Sequence, residues 1–169
     1  LFVAPLAAIP RRPHPALQIG IVGTIVIALF SASGSTAYVA IATGAILHAW
    51  IAARRSRTGA ATLVLSAALS LAAAWAIREG RLTQAFVLSC LAIALRTGLM
   101  PLHIGVASLC ERAPISQMQQ LASTIALVFV HLRFVDHTPD VAAFAPVLVR
   151  YGALAALVGA LMTVVQRDL

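Results

Sequence analysis

The polar residues of this chain are not spread along amphipathic stripes; most are gathered between long, charge-poor windows. The windows run roughly Leu17–Ser33, Thr36–Ala53, Ala60–Ile77, Leu82–Val106, Gln117–Leu132 and Pro146–Val165. Each is near the roughly 20 residues that a helix rising 1.5 Å per residue needs to cross about 30 Å of hydrocarbon. Four of them, all but Leu82–Val106 and Pro146–Val165, contain no charge at all, whereas a helix of a soluble domain keeps one polar face. The pattern predicts an all-α fold: a polytopic transmembrane helix bundle of about six membrane-spanning helices, forming a single transmembrane domain over residues 1–169. Only Gly34-Ser35 separates the first two windows, so a tight helical hairpin is expected there. Small residues such as Ala67, Ala68 and Ala72 to Ala74 let backbones approach closely where lipid supplies no hydrophobic drive for association.

Composition agrees with the pattern. Hydrophobic residues make up 61% of the chain and charged ones 10%, with mean hydropathy +0.96, against about 25% charged in soluble domains. The charge is basic, 12 Lys+Arg to 5 Asp+Glu, and every one of these cations is arginine. Most flank the windows, which fits loop anchors and not a nucleic-acid face. Alternating crossings place Arg11, Arg12, Arg54, Arg55, Arg57, Arg112 and Arg167 on one side and Arg78, Arg81 and Arg133 on the other. The richer side is assigned to the cytoplasm. Arg150, near the start of the last window, reads as a side chain that snorkels to the headgroups.

Cys90 and Cys110 lack CxxC spacing and a second pair, so they read as small packers and not as a zinc site or disulfide framework. The apolar stretch before Pro10-Arg11-Arg12-Pro13 lacks a small-residue cleavage site and reads as the tail of an earlier span. With no Met at the start and a span just finishing at Gln166-Arg167-Asp168, the chain is expected to be a piece of a longer polypeptide.

A few polar residues fall inside the windows. Arg96 lies deep in the fourth, where a guanidinium costs at least about 2.5–3.5 kcal/mol on insertion scales, so it should face the bundle interior, a wet cavity or a partner. It is read either as a buried Arg tied to carbonyls or lipid phosphate, or as a fixed charge on an ion path. Gly98 and Pro101 weaken the same helix, and a broken helix near Gly98-Pro101 is expected, with His103 just beyond it. Ser116 is expected to cap the next helix, whose Gln120, Ser123 and Thr124 share one face that would hold water or bond a neighbouring helix. His48 and His131 sit in different windows; with an ordinary pKa near 6.5, each could relay protons or ligate a metal. A haem site is not favoured, since no CxxCH is present. No nucleophile-base pair, paired carboxylates, P-loop or GxGxxG is visible, so neither enzyme chemistry nor a cofactor or metal is expected.

The run Leu95-Arg96-Thr97-Gly98-Leu99-Met100-Pro101-Leu102-His103, followed by Glu111, Pro114-Ile115-Ser116 and a helix, resembles the signature of antiporter-like subunits of respiratory complex I and the Mrp antiporters. There the pattern is Lys-Ser-Ala-Gln-x-Pro-x-His, an acidic turn ending Pro-Val-Ser, and a helix with an early His. Ile41-Ala42-Thr43-Gly44-Ala45-Ile46-Leu47-His48 resembles the branch that serves as membrane subunit of DAB-type inorganic-carbon transporters. The stretch from Gly159 to Leu169 resembles the family helix that leads to a Lys. Arg96 stands where the family has a Lys, Gln120 where it has a His, and Ile41 where the complex I branch has its Glu. The resemblance implies a membrane subunit in the cell inner membrane that couples proton movement to CO2 or bicarbonate uptake. It further implies a hetero-oligomer with a soluble or peripheral partner. On this reading the ion or proton pathway is Arg96, His103, His48, Gln120, Ser123 and His131. A complex I or Mrp-type proton or sodium-translocating subunit and a non-conducting membrane scaffold are the alternatives.

Overall fold

The computed structural model describes residues 15–98, 105–107 and 114–134, with helical positions 146, 149–150 and 152–153; in 114–134 side chains are described from Ala122 onward. The elements are all helices: α1 Pro15–Phe30, α2 Gly34–Ala52, α3 Arg57–Arg78, α4 Leu82–Thr97 and α5 Pro114–Phe134. The described residues contain no strand.

Local chemistry sets the ends. Pro15 and Pro114 open α1 and α5 at the first helical position, where a missing amide hydrogen is no loss. Ser56 caps α3, its hydroxyl accepting the Gly59 amide at 2.9 Å. Gly98 closes α4 in the left-handed region (φ 70°), its amide bonded to the Ala94 carbonyl.

Three expectations shift. The first hairpin is joined by Ser31 to Ser33, with Gly34 already inside α2. Ser116 is not a cap but lies in the first turn of α5, because Pro114 has started the helix. The fourth helix, expected over Leu82–Val106, stops at Thr97, since Gly98 adopts a conformation a helix cannot continue. Residues 105–107 are helical again, and Pro101 and His103 lie outside the described residues. The sixth window is described only at its few helical positions.

Successive helices run antiparallel. Helix α2 is central: it packs on α1, α3 and α5, while α4 is held between α3 and α5. One end of the bundle carries Arg54, Arg55 and Arg57; the other carries Arg78, Arg81 and Arg133. At that second end the Arg133 guanidinium donates to the Leu29 carbonyl at 3.0 Å and lies 4.9 Å from the Phe134 ring centroid, and Arg81 stacks on Trp75.

Packing is inverted relative to a water-soluble core. Alanine dominates the buried apolar residues, joined by Ser56, Ser66, Ser70, Ser89, His48 and Arg96. Large apolar side chains point outward: Ile19, Val26, Phe30, Val64, Leu65, Leu91 and Phe129 are exposed. Both tryptophans are exposed as well, Trp50 near the Arg54 end and Trp75 near the Arg78 end. Among the described residues, α2 and α3 are long and apolar enough to cross a membrane; α1, α4 and the stretch Ala122–Phe134 are apolar but shorter.

Candidate functional site

The buried polar side chains stack along the bundle axis in three layers between α2, α3, α4 and α5. The middle layer is built on Arg96, which is 2% exposed. Its Nε donates to Ser66 Oγ at 2.8 Å, Nη1 to the Ser123 carbonyl at 3.3 Å and Nη2 to the Ile41 carbonyl at 3.4 Å. One side chain on α4 therefore bonds three other helices. Ser66 is itself held, its hydroxyl 2.8 Å from Arg96 and 3.4 Å from the Ala92 carbonyl, while Ser70 donates to the Ser66 carbonyl. Along α3, Ser66 stands about 14 Å from Arg57 and about 18 Å from Arg78 at 1.5 Å per residue, so the guanidinium lies near mid-depth.

Below it, toward the Arg54 end, is His48. It follows Ile41 by two turns on the same face of α2 and is 1% exposed. The Arg96 charge acts on it electrostatically. Neither ring nitrogen has a hydrogen-bond partner among the described residues. An unsatisfied buried imidazole costs about 1–3 kcal/mol, the kind of exception that calls for an explanation.

Above Arg96, toward the Arg78 end, His131 of α5 meets α4. Its Nδ1 is 2.6 Å from Ser89 Oγ, its Nε2 is 3.9 Å from Cys90 Sγ, and its ring centroid is 5.0 Å from that of Phe86. Ser89 donates its hydroxyl hydrogen to the Phe86 carbonyl at 2.9 Å, so its oxygen is the acceptor for His131. The Nδ1–H tautomer of His131 fits this donation, with its Nε2 lone pair toward Cys90, whereas the Nε2–H tautomer would take the Ser89 hydrogen on Nδ1.

The layers unite Arg96, His48, Ser123 and His131, which sequence reading had placed in separate windows. Ser123 contributes its carbonyl to Arg96, and Thr124 is buried beside it. The backbone of Gln120 belongs to α5, but its side chain, like all of His103, lies outside the described residues. Sequence reading missed Ser66, Ser70 and Ser89. The signal was present: Ser66 and Ser70 are four apart, and Ser89 precedes Arg96 by two turns on one face. Cys90, read as a packer, faces His131. Among the described residues no three His, Cys, Asp or Glu side chains converge as a metal site would require.

Chemically, the arrangement offers a permanent cation at mid-depth, which cannot give up its proton, flanked by two imidazoles, which can gain and lose one. No protein-family model, curated protein or solved structure matches the chain.

Proposed function

We propose that this chain is a multi-pass subunit of the cell inner membrane that conducts protons in a proton-coupled inorganic-carbon uptake system, working with a soluble partner subunit. The observation that carries the reading is Arg96, buried at mid-depth between His48 and His131 in a bundle whose large apolar side chains face outward. Water would not keep that exterior dispersed, whereas lipid solvates it. Exposed Trp50 and Trp75 near opposite ends, with arginines just beyond them, match the aromatic and basic girdles at membrane interfaces. The resemblance around Arg96 to His103 supplies the antiporter-like class, and that of Ile41 to His48 supplies the inorganic-carbon substrate.

In this mechanism His48 and His131 exchange protons from opposite ends. Arg96 holds the field between them and disfavours both imidazoles being charged at once. Ser123 stands on the facing helix α5, while His103 and the Gln120 side chain, assigned to the same path by the resemblance, lie outside the described residues. The test is proton flux into liposomes carrying the complete protein with any co-purifying partner, comparing wild type with Arg96→Ala, His48→Ala and His103→Ala. We expect flux in the wild type and its loss in the variants. Equal flux in all four, or none in the wild type, would sink the conducting reading.

A second reading has one observation in its favour. Arg96 ties α2, α3 and α5 to α4, which is what a structural brace in a non-conducting scaffold would do. A scaffold predicts loss of thermal stability in Arg96→Ala and no flux in any form of the protein.

A further inference from the structure

The outward side of α2 is a single stripe. Thr36, Val39, Thr43, Ile46 and Trp50 are exposed at alternating steps of three and four residues, which puts them on one face of a helix that is otherwise buried or half-buried. At about 100° of turn per residue, that face lies between two contacts. On one side Gly44 and Leu47 meet Thr24 and Gly20 of α1. On the other, Ala42 and Ala45 share an apolar cluster with Ala67 of α3. The stripe is therefore the floor of a furrow whose walls are α1 and α3.

The furrow ends in charge. Trp50, 43% exposed, is the last residue of its floor, and Arg54 follows one turn later, where the chain bends into α3. Arg54, Arg55 and Arg57 are all exposed in that bend. The bend itself is fixed: the Arg55 and Ser56 amides both bond the Ala52 carbonyl, and the Ser56 hydroxyl caps α3. The guanidiniums of Arg55 and Arg57 meet no hydrogen-bond or ion-pair partner among the described residues. The opposite end differs. There Arg81 stacks on Trp75, Arg133 donates to the Leu29 carbonyl, and Glu79, the one carboxylate among the described residues, lies in the α3–α4 turn. A ligand that matches the α2–α3 end is anionic at the bend and apolar along Ile46 and Val39. An acidic soluble partner would meet the charge but not the furrow, whereas an anionic phospholipid meets both.

We infer that this furrow binds one anionic phospholipid, its phosphate held at the bend by Arg54, Arg55 and Arg57 and one acyl chain lying on Trp50, Ile46 and Val39 between α1 and α3. The inference rests on the membrane location proposed above and not on proton conduction. The dimensions agree: at 1.5 Å per residue, Val39 to Trp50 spans about 16 Å, close to one leaflet of a hydrocarbon core about 30 Å thick. Trp50 then stands at the interface, where an indole ring packs on the chain and its N–H reaches the polar glycerol region. Each arginine near the phosphate favours the anionic lipid over a zwitterionic one by about fivefold.

The experiment places the complete protein, with any co-purifying partner, in vesicles of equal parts phosphatidylcholine and phosphatidylglycerol. Bromine on the acyl chains of one lipid or the other quenches tryptophan fluorescence on contact. The quenching lost in Trp50→Phe isolates Trp50, and that lost in Trp75→Phe isolates Trp75 as the control at the other end. Brominated phosphatidylglycerol is expected to quench Trp50 as a local enrichment of about fivefold or more would, with a smaller preference at Trp75. Replacing both Arg55→Gln and Arg57→Gln should bring the two lipids close to parity at Trp50. Equal quenching of Trp50 by both lipids in the wild type overturns the inference and leaves the arginines to an acidic face of a partner protein. A preference that survives the double substitution overturns it too. If neither lipid quenches either tryptophan, the membrane reading itself fails and takes the inference with it.

Discussion

At the scale of single residues, the buried histidines differ in what holds them. His131 is gripped on both sides of its ring by α4, whereas His48 is fully buried with both nitrogens unbonded among the described residues. That difference yields a prediction. His48→Leu keeps a similar volume and removes an unsatisfied polar group, so the protein should become more thermally stable, by up to about 1–3 kcal/mol, while losing proton flux. Melting of the purified variant in detergent checks the first part and the liposome assay the second; a destabilised variant would mean that His48 is bonded to a group beyond the described residues. The depth of Arg96 was legible from the sequence because any arginine inside an apolar window must be compensated. Its partners were not, because two of the three are backbone carbonyls, which every residue possesses, and the third is a serine in a helix read as packing.

At the scale of elements, glycine positions decide how closely the helices approach. A Cβ on Gly44 of α2 would collide with Thr24 Oγ1 of α1, a hydroxyl pinned by its 2.7 Å bond to the Ile21 carbonyl. Gly44→Ala should therefore loosen the α1–α2 contact and cost about 1–3 kcal/mol as overpacking does. Combining it with Thr24→Ala, which clears the space, should recover most of the loss. A double-mutant cycle on thermal melting measures the coupling, and strictly additive effects would show that the two helices do not meet there. The length of α4 is likewise an element-scale fact. Gly98 and Pro101 announced a break, but only the left-handed Gly98 places its near edge directly after Thr97, one residue beyond Arg96.

At the scale of the whole molecule, the antiparallel order makes a statement about sides. Arg55 and Arg81 belong to opposite ends of the bundle, separated by the full length of α3. In a background with Cys90 and Cys110 replaced by alanine, single cysteines at positions 55 and 81 should be labelled by a membrane-impermeant reagent from opposite faces of inner-membrane vesicles, with position 55 on the cytoplasmic face. Labelling of both from one face would rule out α3 as a span. The inverted packing gives the same answer in another form: the outward Ile, Val, Leu and Phe side chains make a surface suited to lipid, and the inward Ala and Ser side chains allow α2, α3 and α4 to pack closely.

The sequence by itself determined the helical class, four of the five described helices to within a few residues and the start of α4, the alternation of the basic ends, and the identity of Arg96, His48, Ser123 and His131 as out-of-place polar groups. Those properties follow from local composition: window length, charge placement, and proline and glycine at helix ends. Only the tertiary structure decided that these groups form one stack, that Ser66 and Ser89 meet Arg96 and His131, and that the His48 ring nitrogens are left unbonded among the described residues. The physical reason is that helices as apolar as these carry no clear amphipathic stripe to say which face turns inward. Facing is settled by close packing of small residues and by the hydrogen bonds a buried guanidinium and imidazole must find, and both depend on which helices are neighbours.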